Sequence, residues 1–172
     1  HVGASALVTD FPTWVDKATK DSPDIEVVAA VSGSAALLVP DRDVGREVVR
    51  VVSEQALREA PGLDVWGYVE TDDVATLDDR PMLRLPEARR AFERARASRP
   101  SSKARFPMMP FLDQCSMTGL PATGSRHAPG DAGRTIPISA SADAALRRAA
   151  QAHQDWKKSL GTAVVTDLDR DL

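Results

Sequence analysis

The sequence predicts an α+β fold, and three observations carry that expectation. Apolar residues recur at helical spacing over residues 3–20; two short β-branched runs flank Ser32-Gly33-Ser34; and a second helical stripe over residues 41–60 is followed by strict apolar–polar alternation. With 42% apolar and 27% charged residues in 172, the chain has the balance of a globular domain and enough material for a real core. Aromatics are only 5%, so Val, Leu, Ile and Ala must fill most of that core.

The first helix opens at Gly3 and runs to Val8, with a restart at Asp10-Phe11-Pro12 in which Asp10 caps and Pro12 occupies the first turn. Ala6, Leu7, Phe11, Trp14, Val15 and Ala18 make one buried face, and Asp21-Ser22-Pro23-Asp24 breaks the helix after Lys20. Ile25–Val31 and Ala35–Val39 read as a hairpin whose Gly33 can take positive φ. Asp41 or Asp43 caps the next helix, which carries Val44, Val48, Val51, Val52 and Leu57 and stops at Pro61-Gly62. Leu63 to Glu70 then reads as a third strand with one buried and one wet face. The order helix, strand, strand, helix, strand is a ferredoxin-like unit lacking its opening strand. Its vacant central position leaves edge groups unpaired and invites self-association or another chain.

Pro86 to Ala97 is expected to be a basic helix, Arg99 to Pro110 a proline-bearing connector, and Phe111 to Ala122 a loop holding the chain's single cysteine, Cys115. Thr123 to Pro137, rich in Gly, Pro, Ser and Thr, reads as a disordered loop. A last helix runs from Ser141 to Leu160 and ends at Gly161, and Thr162 to Leu172 is an exit segment. This divides the chain into residues 1–80, the compact unit, and 81–172, a helical and loop-rich extension leading to a second domain absent here.

The net charge of −3 gives no global pull towards nucleic acid or membrane, but it is unevenly placed. Leu63 to Asp79 carries Asp64, Glu70, Asp72, Asp73, Asp78 and Asp79 with no basic residue. From Arg84 to Arg105, Arg84, Arg89, Arg90, Arg94, Arg96, Arg99, Lys103 and Arg105 stand against Glu87 and Glu93. Arg89, Arg90, Arg94 and Arg96 read either as a nucleic-acid grip or as a solvated face or docking surface for the acidic stretch. A lone cysteine fits a reducing cytoplasm, no apolar run approaches the roughly 20 residues of a membrane span, and the opening residues lack a signal peptide's layout.

For catalysis the hairpin turn is the informative place. Nucleotidyl transfer needs divalent ions held by fixed carboxylates, and Ser32-Gly33-Ser34 supplies hydroxyls only. No catalytic residue is expected, and Asp72, Asp73, Asp78 and Asp79 lie in an acidic run with no positioned partner. Cys115 with His127 offers one thiolate and one imidazole, short of a structural zinc set, so no metal site is expected. His153, beside Trp156, is explained by an amphipathic helix.

Gly3-Ala4-Ser5 at a helix start, Val31-Ser32-Gly33-Ser34 with Ala36-Leu37-Leu38-Val39, and Cys115-Ser116-Met117-Thr118-Gly119-Leu120-Pro121-Ala122 occur in an order that resembles the polymerase-like large subunit of type III CRISPR effector complexes and its stand-alone bacterial relatives, a family with two palms of the GGDEF and nucleotidyl-cyclase type. The chain looks like the degenerate first palm, which completes the ATP site of a second, catalytic palm. The resemblance implies nucleotide contacts from Gly3, Ala4, Ser5, Ser32, Gly33 and Ser34, a second palm or partner subunit, a role in antiviral defence, and ATP and magnesium in the parent protein but no cofactor in this chain. The family's inter-palm zinc knuckle places a second cysteine where this chain has Thr118. The alternative is an assembly module that binds no nucleotide.

Overall fold

Two helices from opposite ends of the chain lie against each other in this protein, whose computed structural model describes residues 2–31, 33–70, 85–100, 111–128 and 130–160. Helix α1 (Val2–Thr9) is followed by α2 (Phe11–Thr19), strands β1 (Glu26–Val31) and β2 (Ser34–Leu38), and helix α3 (Arg42–Glu59). Then come α4 (Leu85–Ala97), β3 (Gly124–Ala128), β4 (Asp131–Ile138) and α5 (Ala140–Leu160). The fold is mixed α+β, with two separate two-stranded antiparallel sheets among the described residues, β1–β2 and β3–β4. No helix among the described residues is long and apolar enough to cross a membrane. The division at residue 80 and the exit segment from Thr162 lie outside the described residues.

The first hairpin forms where the β-branched runs place it, with Val27 opposite Leu37 and Val31 opposite Ser34. Gly33 takes φ 80°, the left-handed conformation the turn requires. Asp41 caps α3 by accepting from the backbone N–H groups of Asp43 and Val44, both at 2.8 Å. The face of α3 bearing Val48, Val52 and Ala56 meets Leu7, Trp14 and Val15 from α1 and α2, and Ala144 from α5 closes the same core. Trp14, 2% exposed, donates from Nε1 to Glu59 Oε2 at 2.7 Å, so its one polar atom is partnered inside that core.

Asp10 does not cap α2. Its backbone is itself helical (φ −77°, ψ −14°) and no side-chain cap bond forms. Its carboxylate instead receives a fork from Arg148 of α5, Nε to Oδ2 at 2.7 Å and Nη2 to Oδ1 at 2.9 Å. Beside this pair α1 and α5 touch at backbone distance. A Cβ added to Gly3 would stand 1.8 Å from the carbonyl oxygen of Ala145.

The third strand expected over Leu63 to Glu70 does not form, and with it goes the three-stranded sheet. The segment still alternates, but its two faces are taken by helices. Leu63 and Val65 pack on the main core. A Cβ on Gly67 would meet Val49 Cγ2 at 2.3 Å, and one on Gly45 would meet Val69 Cγ1 at 2.9 Å. On the other face Trp66 stacks on Phe92 of α4, with centroids 4.5 Å apart and planes at 10°. Arg99 lies 4.9 Å above Trp66 and pairs with Asp64 at 3.6 Å. The face expected to be wet is thus the seat of α4.

Thr123 to Pro137 is likewise corrected, because most of it forms the β3–β4 hairpin, with Gly124 opposite Ile138 and Ala128 opposite Asp131. The side chains of β3 are nearly all exposed, so apolar periodicity is absent from a segment held by backbone pairing.

Replacing Gly3 with Val is expected to destabilise the fold by about 2 kcal/mol or more, since neither backbone can yield to the new side chain. Urea unfolding measures this, with exposed Ala4→Ser, expected within about 0.5 kcal/mol of the parent, as the control.

Candidate functional site

Gly3 is buried under α5, while Ala4 and Ser5 remain exposed at the start of α1. The β1–β2 turn does approach α1, but at its other end. A Cβ on Gly33 would meet Val8 Cγ1 at 2.8 Å, and Val8 lies about 7.5 Å along the helix axis from Gly3 at 1.5 Å per residue. Gly33 and Ser34 are exposed, the Ser34 hydroxyl donates weakly to Val31 O at 3.4 Å, and Ser32 lies outside the described residues. The turn therefore faces the last turn of α1 rather than its N–H groups. Its contact with Val8 was not readable from local spacing, because it joins residues that no periodic pattern relates.

No group of three or more His, Cys, Asp or Glu side chains among the described residues could hold a metal ion. Thr118, standing where a second thiolate would be, turns its hydroxyl to Ser139 Oγ at 2.9 Å.

That contact belongs to a second centre, built around Cys115. The loop closes on itself through Cys115 N–H donating to Leu120 O at 2.9 Å, Gly119 N–H to Cys115 O at 2.8 Å, and Ala122 N–H to Asp113 O at 2.8 Å. Thr123 N–H donates to Ile138 O at 2.9 Å and ties the loop to the end of β4. Cys115, 1% exposed, packs with Ile138 and Ala142 as a small separate core. Ser139, also buried, accepts from Ala142 N–H at 3.3 Å and so caps α5. Burial pushes the Cys115 thiol up, but hydrogen bonds from Thr118, from the backbone and hydroxyl of Ser139, and from the backbone of Met117 outweigh it and bring its pKa down to about 6. The local sequence carried no hint of this. Ser139 reaches the thiol only because the β3–β4 hairpin returns the chain to the loop.

On α4 the four predicted arginines are used differently. Arg96 pairs with Glu93 at 3.7 Å. Arg89, Arg90 and Arg94 are exposed and, with Pro86 and Glu93, line an open depression. The inner face of this helix packs on residues 63–70 through Phe92, and the following Arg99 pairs with Asp64. A scan against protein-family models finds no match for the chain, and no curated protein matches it.

The Cys115 thiolate absorbance near 240 nm should titrate with a midpoint near 6 in the folded protein. Thr118→Val should move it upwards by removing one donor. Because the folded pKa lies below the thiol's ordinary value of 9.0, this group's contribution to stability is complete above about 9 and is lost as pH falls towards 6. A midpoint unchanged in Thr118→Val, measured on folded protein, would count against the hydroxyl as a cause.

Proposed function

We propose that the chain is a non-catalytic, palm-like assembly module, one that holds protein elements together and carries no chemistry of its own. The observation that carries this reading is the contact of Gly3 with Ala145, which assigns the glycine of the expected nucleotide motif to helix packing. The carboxylate-free turn at Gly33 and Ser34 supports it too. The order of short motifs shared with the type III CRISPR large subunit supports a second palm or partner subunit as what is held, in antiviral defence. The single Cys115 fits a cytoplasmic setting.

A second reading keeps nucleotide binding, with ATP and magnesium shared with a second palm. It is favoured by the exposed Ala4 and Ser5 at the start of α1, where backbone N–H groups suit an anion. Isothermal titration of the chain with ATP and magnesium separates the two. Under the assembly reading no saturable heat is expected up to about 1 mM ATP, an affinity of roughly −4 kcal/mol. Saturation at micromolar ATP that Ser5→Ala weakens would replace assembly with nucleotide binding, and oligonucleotide product detected by mass spectrometry would overturn the non-catalytic assignment.

A further inference from the structure

Most arginines on α3 and α5 have carboxylate partners, Arg42 at the start of α3 being without one among the described residues. Arg46 pairs with Asp43, Arg50 with Glu47 and Glu54, and Arg58 with Glu54 on α3; Arg147 pairs with Asp143 and Arg148 with Asp10 and Asp155 on α5. Arg89, Arg90 and Arg94 of α4 have no such ion pair among the described residues, although they are neighbours on one exposed face. Arg90 and Arg94 stand at i and i+4, a spacing at which like charges destabilise a helix. The one carboxylate lining the same face, Glu93, pairs with Arg96, and Arg99, just beyond the helix, pairs with Asp64.

We propose that this face of α4 binds the phosphate backbone of nucleic acid without reading its bases. Guanidinium groups grip phosphate oxygens in a bidentate fork. Arg89 and Arg94 are five residues apart, about 7.5 Å along the axis, so the charges are spread for a linear polyanion rather than gathered on one phosphate. The aromatic rings that meet at α4, Trp66 and Phe92, are stacked on each other, so charge and not base stacking carries the binding. The same stacking turns the apolar face of the helix inwards, away from any membrane surface.

Fluorescence anisotropy of the whole chain with labelled oligothymidylate tests this. Binding is expected at about 50 mM salt, with log K falling as log salt rises. Arg89→Gln/Arg90→Gln/Arg94→Gln should weaken it at least tenfold and flatten the slope by about 2, the yield of three phosphate contacts on a single strand. Should the triple variant lose its circular dichroism, Arg90→Gln alone, which relieves repulsion, flattens the slope by about 0.7. Removing the paired charges of α3 with Arg46→Gln/Arg50→Gln/Arg58→Gln should leave affinity within about twofold, because a grip depends on the site and not on net charge. No binding by the wild-type chain, an equal loss in the α3 variant, or a folded α4 variant that keeps its affinity overturns the proposal. Competition by polyglutamate as strong as that by oligothymidylate also overturns it, and assigns the face to an acidic protein.

Discussion

The backbone-to-backbone contact of α1 with α5 is the constraint on which the rest of the structure depends. Gly3 lets the helices approach until only a hydrogen fits against Ala145, and the Asp10–Arg148 fork clamps the crossing from the side. Closing a loop of this length is entropically costly, though the cost grows only slowly with length. Burial of Leu7 and Ala144 in a common core offsets it. Once α5 is seated, its first turn is fixed beside Gly62, where a Cβ would meet Ser141 Cβ at 2.4 Å, and this locates the end of β4.

The second centre follows from that placement. Ser139 is at once the last residue before α5, its cap, and a hydrogen-bond partner of the Thr118 hydroxyl. One buried hydroxyl thus joins a helix terminus to a loop, and the donors gathered there favour the thiolate form of Cys115 over the neutral thiol that burial alone would select. The exposed Phe111, Leu112 and Met117 lie on the outside of the same loop, so its interior order comes from hydrogen bonds and only a few apolar contacts.

Residues 63–70 show how one alternating pattern can satisfy two different architectures. Alternation requires only that successive side chains enter different surroundings. In a sheet the surroundings are core and water; here they are α3 and α4. Extended backbone, small Gly67 and Gly45, and the stacked Trp66 serve the sandwich as well as they would serve a strand. Without ladder bonds to β2, the segment acts as a spacer that holds α4 and leaves its arginine face outward.

The sequence by itself determined the local elements: α3 with a cap at Asp41 or Asp43, of which the structure uses Asp41, the β1–β2 turn at Gly33, and the extent of α4 and α5 to within a residue or two. These depend on spacing, caps and breakers that act over a few residues. Tertiary structure decided what those elements meet. Asp10 looked like a cap because local chemistry allows it, and became an ion-pair partner because Arg148, far along the chain, offered two donors. Small residues at helix starts can serve packing or an anion, and the close approach of Ala145 to Gly3 is visible only in the tertiary structure. The β3–β4 hairpin escaped notice because its side chains remain in water, and backbone pairing leaves no periodic trace in composition.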